Sequence, residues 1–151
     1  MIRVQAEPFD VGVELASFGR GRTDVGGVAS FVGRVRDEHD GEPVTAMTLE
    51  HYPGMTERQL EAIEAEARTR WPLQDSLIIH RHGRMLPGEP IVLVATASAH
   101  RQAALEACAF LIDWLKTQAP FWKLEDTASG PRWVNADTRD DALAARWAKT
   151  E

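Results

Sequence analysis

A chain of 151 residues, 44% hydrophobic and 26% charged, is long enough to enclose one real core and reads as a single domain over 1–151. Its formal charge of −6 argues against broad binding to nucleic acid or to an anionic membrane, so an anionic ligand needs a local cluster of cations. The single cysteine, Cys108, excludes an internal disulfide, a two-cysteine redox pair and a cysteine-rich zinc site within one chain, and is expected in the core. Residues 1–15 mix charges with Pro8, and the longest aliphatic stretch, Ile91 to Ala97, is far below membrane-spanning length. The expected location is the cytoplasm.

In chain order, Asp10 is placed to cap a short helix through Phe18, and the glycine-rich stretch from Gly19 to Gly27 reads as a loop. A strand over Val28–Arg36 and another over Val44–Tyr52, joined through a turn at Asp40-Gly41, are expected to pair. Thr56 and Gln59 form a capping-box pattern ahead of Leu60, Ile63, Ala67 and Trp71, which recur at helical spacing until Pro72. Leu77–His82 and Ile91–Ala97 read as strands around a turn-rich Gly83–Pro90. A long helix follows from about Ala99 to Gln118. Its wheel gathers Leu105, Cys108, Ala109 and Ile112 into one apolar stripe, expected to be core, with Arg101 and Lys116 at the stripe's two ends. Phe121–Thr127 and Arg132–Asn135 predict a hairpin through Ser129-Gly130-Pro131. A short polar helix near Asp140–Ala148 follows, in a tail expected to be mobile from about residue 136.

The residues that suggest chemistry are cations. Pro120 stops the helix carrying Lys116 and turns the chain into the strand carrying Lys123, a geometry able to bring two ammonium groups into one pocket. Neighbouring cations lower each other's pKa, and a partly deprotonated lysine is a usable base or nucleophile. Lysines in a last helical turn also satisfy the helix dipole and snorkel past apolar neighbours with no chemistry at all. Phe121 and Trp122 are expected to form an apolar wall beside Lys123. His100 and Arg101, in a first helical turn, suit an incoming anion, and the fork of Arg36 suits a phosphate. His80 and His82 share a strand face, but a His-x-His pair is common without metal, and no HExxH, P-loop or GxSxG motif is present.

Three segments carry a specific likeness: Leu49-Glu50-His51-Tyr52-Pro53-Gly54-Met55, Ser98-Ala99-His100-Arg101 and Lys116-Thr117-Gln118-Ala119-Pro120-Phe121-Trp122-Lys123. With Gly33-Arg34-Val35-Arg36 and Arg70-Trp71-Pro72-Leu73 in matching order, the chain from about Phe9 to Val134 resembles the molybdopterin synthase catalytic, or large, subunit family. The resemblance implies an α+β fold, an α/β hammerhead-like body with an additional antiparallel β subdomain. It implies a central homodimer within a heterotetramer, with a small ubiquitin-like sulfur-carrier subunit at each end.

The implied reaction adds two sulfurs to cyclic pyranopterin monophosphate, opening its cyclic phosphate and forming the molybdopterin dithiolene. The sulfur arrives as the carrier's C-terminal Gly-Gly thiocarboxylate, with no metal or other cofactor. By resemblance Arg34, Val35 and Arg36 line the substrate site, His100 and Arg101 bind its anionic part, and Lys116, Lys123, Leu124 and Glu125 surround the reacting end. Lys116 and Lys123 are the catalytic pair. Leu124 stands where the family often carries a charged residue, and the tail, Arg139 included, receives no role. Two alternatives stay open from the residues themselves: a noncatalytic anion-binding assembly subunit, which needs Arg36 and Arg101 but not Lys116, and a His-dependent metalloenzyme, which needs His80 or His82.

Overall fold

The computed structural model describes residues 1–134 and 138–148. Four strands, β1 (Ile2–Gln5), β5 (Leu73–Arg81), β7 (Pro90–Ser98) and β2 (Gly27–Arg34), form one sheet in the order β1-β5-β7-β2. β1 runs parallel to β5, and the other pairs are antiparallel. The central strand β7 is almost continuously apolar, and β5 is so over Leu77–Ile79, because both faces are covered there. Ile78, Val92 and Val94 pack with residues of the helices α2 (Met55–Arg70) and α3 (Arg101–Thr117), while Leu77, Ile79, Leu93 and Ala95 pack with Val11 and Leu15 of α1 (Val11–Ser17). Alternation along each strand thus feeds two separate core clusters.

A second, antiparallel sheet is built on β4 (Glu42–His51). β3 (Glu38–His39) and β6 (Gly83–Met85) pair along it, and β8 (Phe121–Thr127) also pairs with it and carries β9 (Gly130–Val134). Val35, Met47, Leu49 and Met85 form its small core, with Ile91 and Phe121 packed against them. β6 continues β5 out of the first sheet, and β8 leaves the end of α3. The subdomain is therefore held at the seam where Lys116 lies. The α+β architecture expected from the sequence is the one observed.

Several local expectations are corrected. β2 pairs with β7, not with the strand after Asp40-Gly41; that turn, with positive φ at both residues, joins β3 to β4. The cap of α2 lies two residues earlier than the Thr56 pattern suggested. Glu57 accepts the Gly54 N–H at 2.7 Å, and the Thr56 hydroxyl donates to the Tyr52 carbonyl at 2.8 Å. β1 and β6 escaped notice because each is too short to show a period. The Leu105-Cys108-Ala109-Ile112 stripe is not core throughout: Leu105 is 61% exposed, and the stripe borders an open groove beside Val28 and Phe31 of the edge strand β2. α3 buries Ala103, Ala104, Ala107, Phe110 and Leu111 instead, with only Cys108 shared between the two faces.

Asn135, the last residue of the expected hairpin, lies outside the described residues, as do 136, 137 and 149–151 of the tail. Residues 138–148 of that tail form α4 (Thr138–Ala145) and a turn that docks on α3. Asp113 there accepts from Arg146 Nη2 at 2.8 Å and from Trp147 Nε1 at 2.6 Å. The Trp147 ring meets Trp71 and Phe110 edge-on.

Candidate active site

Lys116 ends α3. Gln118 donates to the Trp114 carbonyl at 2.8 Å, Pro120 prevents a further turn, and Phe121 donates back to Ala119 at 2.8 Å, so the chain bends sharply into β8. Alternation along β8 then puts Phe121, Lys123 and Glu125 on the inner face and Trp122 and Leu124 on the outer one. Phe121 thus forms the expected apolar wall, whereas Trp122, 49% exposed, does not. Leu124, paired opposite Thr48 and Trp133, also faces away from Lys123, which removes its side chain from that pocket.

Arg36 reaches the same place from β2. A register shift at Gly33/Arg34 ends the regular pairing, and a Cβ on Gly33 would stand 2.8 Å from Val92 Cγ1, so only glycine allows this approach. Val35 is then pinned by its N–H to the Glu89 carbonyl and by its side chain in the subdomain core, leaving Arg34 and Arg36 exposed on either side. Val35 supports the two arginines from beneath and, at 5% exposure, offers little surface to a ligand.

The charges converge. Lys123 is held below the ordinary lysine range, first by burial and then by the charge of Lys116, with Arg36 acting the same way and Glu125 and Asp140 opposing. Among the described residues, no ion pair joins Lys116 or Lys123 to a carboxylate. Glu125 is occupied elsewhere: its Oε1 accepts from His39 Nδ1 at 2.5 Å and lies 3.6 Å from Arg132 Nη2. Lys123 is half-buried while Lys116 and Arg36 are exposed, so three like charges act on one another at one place on the surface, where a bound anion would relieve their repulsion.

An aromatic wall stands behind the lysines. His80 stacks on Phe121 with centroids 3.8 Å apart, and His51 lies 4.3 Å from His82. His80 Nδ1 donates to the Arg81 carbonyl at 2.8 Å, and burial, assisted by the charge of Lys116, pushes its pKa down to about 4. It stays neutral near pH 7. The order of residues along the chain gives no sign that His51 meets His82, or that His80 meets Phe121, across the seam. The His51 and His82 rings are tilted by 39° to one another, and among the described residues no group of three or more His, Cys, Asp or Glu side chains is arranged to hold a metal ion. Cys108 is buried, its thiol pushed up to about 11, and is not poised as a nucleophile.

His100 and Arg101 are exposed at the opposite end of α3. Gly26 donates to the Ser98 carbonyl at 2.9 Å, and Gly27 comes within van der Waals reach of Arg101, so the glycine-rich loop serves close packing there. Arg36, Lys116, Lys123 and Glu125 therefore share one locality within a chain, and His100 and Arg101 do not join them.

The family described as MoaE protein matches residues 4–118. A Pseudomonas aeruginosa protein named molybdopterin synthase catalytic subunit is 58% identical over 146 residues, covering 97% of each chain. The structure of the molybdopterin biosynthesis MoaE protein from Burkholderia ambifaria superposes with a TM-score of 0.82 at 52% identity, over 97% of each chain. The crystal structure of molybdopterin synthase from Staphylococcus aureus gives 0.80 at 29% identity, over 88% of this chain and 96% of that one. By sequence and by fold, the chain belongs to the MoaE protein family of molybdopterin synthase catalytic subunits.

Proposed function

We propose that this chain moves sulfur from the thiocarboxylated Gly-Gly end of a small ubiquitin-like carrier subunit to cyclic pyranopterin monophosphate, building the dithiolene of molybdopterin. The observation that carries this reading is that Lys116 and Arg36 come close enough to Lys123 for their charges to act on it, with no carboxylate ion-paired to either lysine among the described residues. Such a pocket suits a substrate with a cyclic phosphate and a donor that ends in an anionic thiocarboxylate. Arg36, with Arg34 beside it, positions the substrate anion. Lys123 orients the thiocarboxylate, and Lys116 stabilises the negative charge that develops as sulfur attacks or exchanges a proton with the reacting group. Glu125 contributes its charge from the side. The buried, weakly acidic Cys108 makes a protein-bound sulfur relay unnecessary to the scheme.

The site is shared between two copies. β2 is an edge strand, and Val28 (52% exposed), Phe31 (37%) and Leu105 (61%) line an open apolar groove between it and α3. A second copy packed across this groove about a two-fold axis sets the two α3 helices antiparallel, so His100 and Arg101 of one copy complete the Lys116–Lys123 pocket of the other. With one carrier bound at each end, the assembly is a heterotetramer. None of the described helices is long and apolar enough to cross a membrane. We place the reaction in the cytoplasm, where reduced sulfur persists.

The test is reconstitution. The purified chain, its thiocarboxylated carrier and cyclic pyranopterin monophosphate are mixed without added metal, and dithiolene product is followed. Product proportional to carrier consumed supports the reading, and intact substrate beside intact thiocarboxylate overturns it.

A further inference from the structure

Glu125 is one of the more deeply buried charged groups in the molecule, at 5% exposure, and lies two residues from Lys123 on the same strand face. Successive residues on one face of a strand are about 7 Å apart, a gap that a four-carbon lysine and a glutamate close easily. Yet the ion pairs of Glu125 are made with His39 and Arg132. Both approach the same oxygen, Oε1. Since a carboxylate only accepts, His39 Nδ1 must be the donor in the 2.5 Å contact.

The clamp is itself braced. Arg132 stands directly opposite Glu125 in the β8–β9 ladder and also grips Glu42 at 2.8 Å and the His39 carbonyl at 3.1 Å. His39 is delivered by the tight Asp40-Gly41 turn, whose residues sit at φ 52° and 78°. Three strands thus converge on a single carboxylate oxygen. Burying a carboxylate requires partners, and the cross-strand arginine alone would supply charge compensation. The second donor, brought from a separate two-residue strand, adds fixed direction.

We propose that His39 and Arg132 are positioning residues for the sulfur-transfer site, holding the Glu125 carboxylate close enough for Lys123 to feel its charge while keeping it from closing onto that ammonium. The proposal rests on the reading of Lys123 as the group that meets the anionic donor or substrate. Without the clamp, Glu125 competes with the incoming anion for Lys123, and the cost falls on binding more than on the chemical step.

The experiment is a double-variant cycle in the reconstituted synthase, with cyclic pyranopterin monophosphate as the probe and single-turnover rates as the readout. His39→Leu is expected to raise the half-saturating substrate concentration about tenfold with the saturating rate nearly unchanged. His39→Asn, whose amide nitrogen falls where Nδ1 stood and can donate to Oε1, restores wild-type binding. In a Glu125→Gln background, where no charge is left to compete, His39→Leu has less than about a twofold effect. Should His39→Leu fail to fold, Arg132→Leu carries the same cycle. The proposal is overturned if His39→Leu leaves substrate saturation unchanged, if His39→Asn is no better than His39→Leu, or if the His39 effect is undiminished beside Glu125→Gln. Lys123→Ala, run in parallel, separates the two levels: an active Lys123→Ala removes the underlying reading and the proposal with it, whereas an inactive one beside additive His39 and Glu125 effects removes the proposal alone.

Discussion

Arg101 and Lys116 sit at the two ends of one uninterrupted helix, α3, separated by 15 residues and so by roughly 22 Å along its axis. Both belong to the helix stripe that borders the open groove beside β2, so in the proposed shared site a small ligand draws Arg101 and Lys116 from two different copies of the chain.

In the proposed mechanism, removing either lysine removes charge that acts on the developing negative charge of the reaction. Lys116→Ala and Lys123→Ala should each lower the single-turnover rate of product formation by about 10²–10³-fold, with melting temperature and carrier binding near wild type. Wild-type rates in both variants would remove the lysines from the mechanism.

The proposed site gives Arg36 two separable effects. As an anion-positioning group, its loss in Arg36→Ala should raise the substrate KM about tenfold with a smaller change in kcat. As one of the cations that depress Lys123, its loss lets Lys123 keep its proton to higher pH. Activity that requires the Lys123 ammonium falls as pH rises through that pKa, so the alkaline limb of the rate profile should move upward in Arg36→Ala. A downward shift would contradict the assigned role of Lys123.

Gly26 marks how tightly the His100–Arg101 corner is packed. A Cβ there would lie 2.1 Å from the Ala99 carbonyl oxygen, a backbone atom that cannot swing aside. Gly26→Ala should therefore cost on the order of 1–3 kcal/mol by denaturant unfolding and also weaken substrate binding, because the displaced segment carries His100 and Arg101, which the proposed site uses for the substrate anion. Unchanged stability would show that the corner yields.

Asp113 ties the tail to α3. Asp113→Ala leaves Arg146 and Trp147 Nε1 without their acceptor and should cost about 2 kcal/mol, with faster proteolysis after residue 138 as the signature of an undocked α4. A tail equally resistant in the variant would place its anchorage in the Trp147 ring contacts instead.

Much of this was legible in the chain itself, and what was not has physical causes. Period and punctuation located α2, α3, β7 and the β8–β9 hairpin, because each is long or bounded by Gly and Pro. Pairing was misread for β2 and β4, since adjacency in sequence favours a hairpin and nothing local signals that β7 competes for β2. The lysine pair was readable from Pro120, a local cause. The His80–Phe121 stack and the His39–Glu125 contact were not, because they join residues 41 and 86 positions apart across the sheet seam and the subdomain. The α3 stripe read as core for the same reason: a wheel reports which residues share a face, and only the tertiary structure shows whether the chain's own atoms cover it.

The most direct measurement mixes inactive Arg101→Ala and Lys116→Ala chains under conditions that exchange subunits, with carrier and cyclic pyranopterin monophosphate supplied. Each mixed dimer then holds one intact composite site and one doubly damaged site. The account predicts that dithiolene formation reappears as exchange proceeds, approaching half the wild-type rate per mixed dimer. If exchange is demonstrated, wild-type chains treated identically stay active and no product forms, the shared lysine site is contradicted.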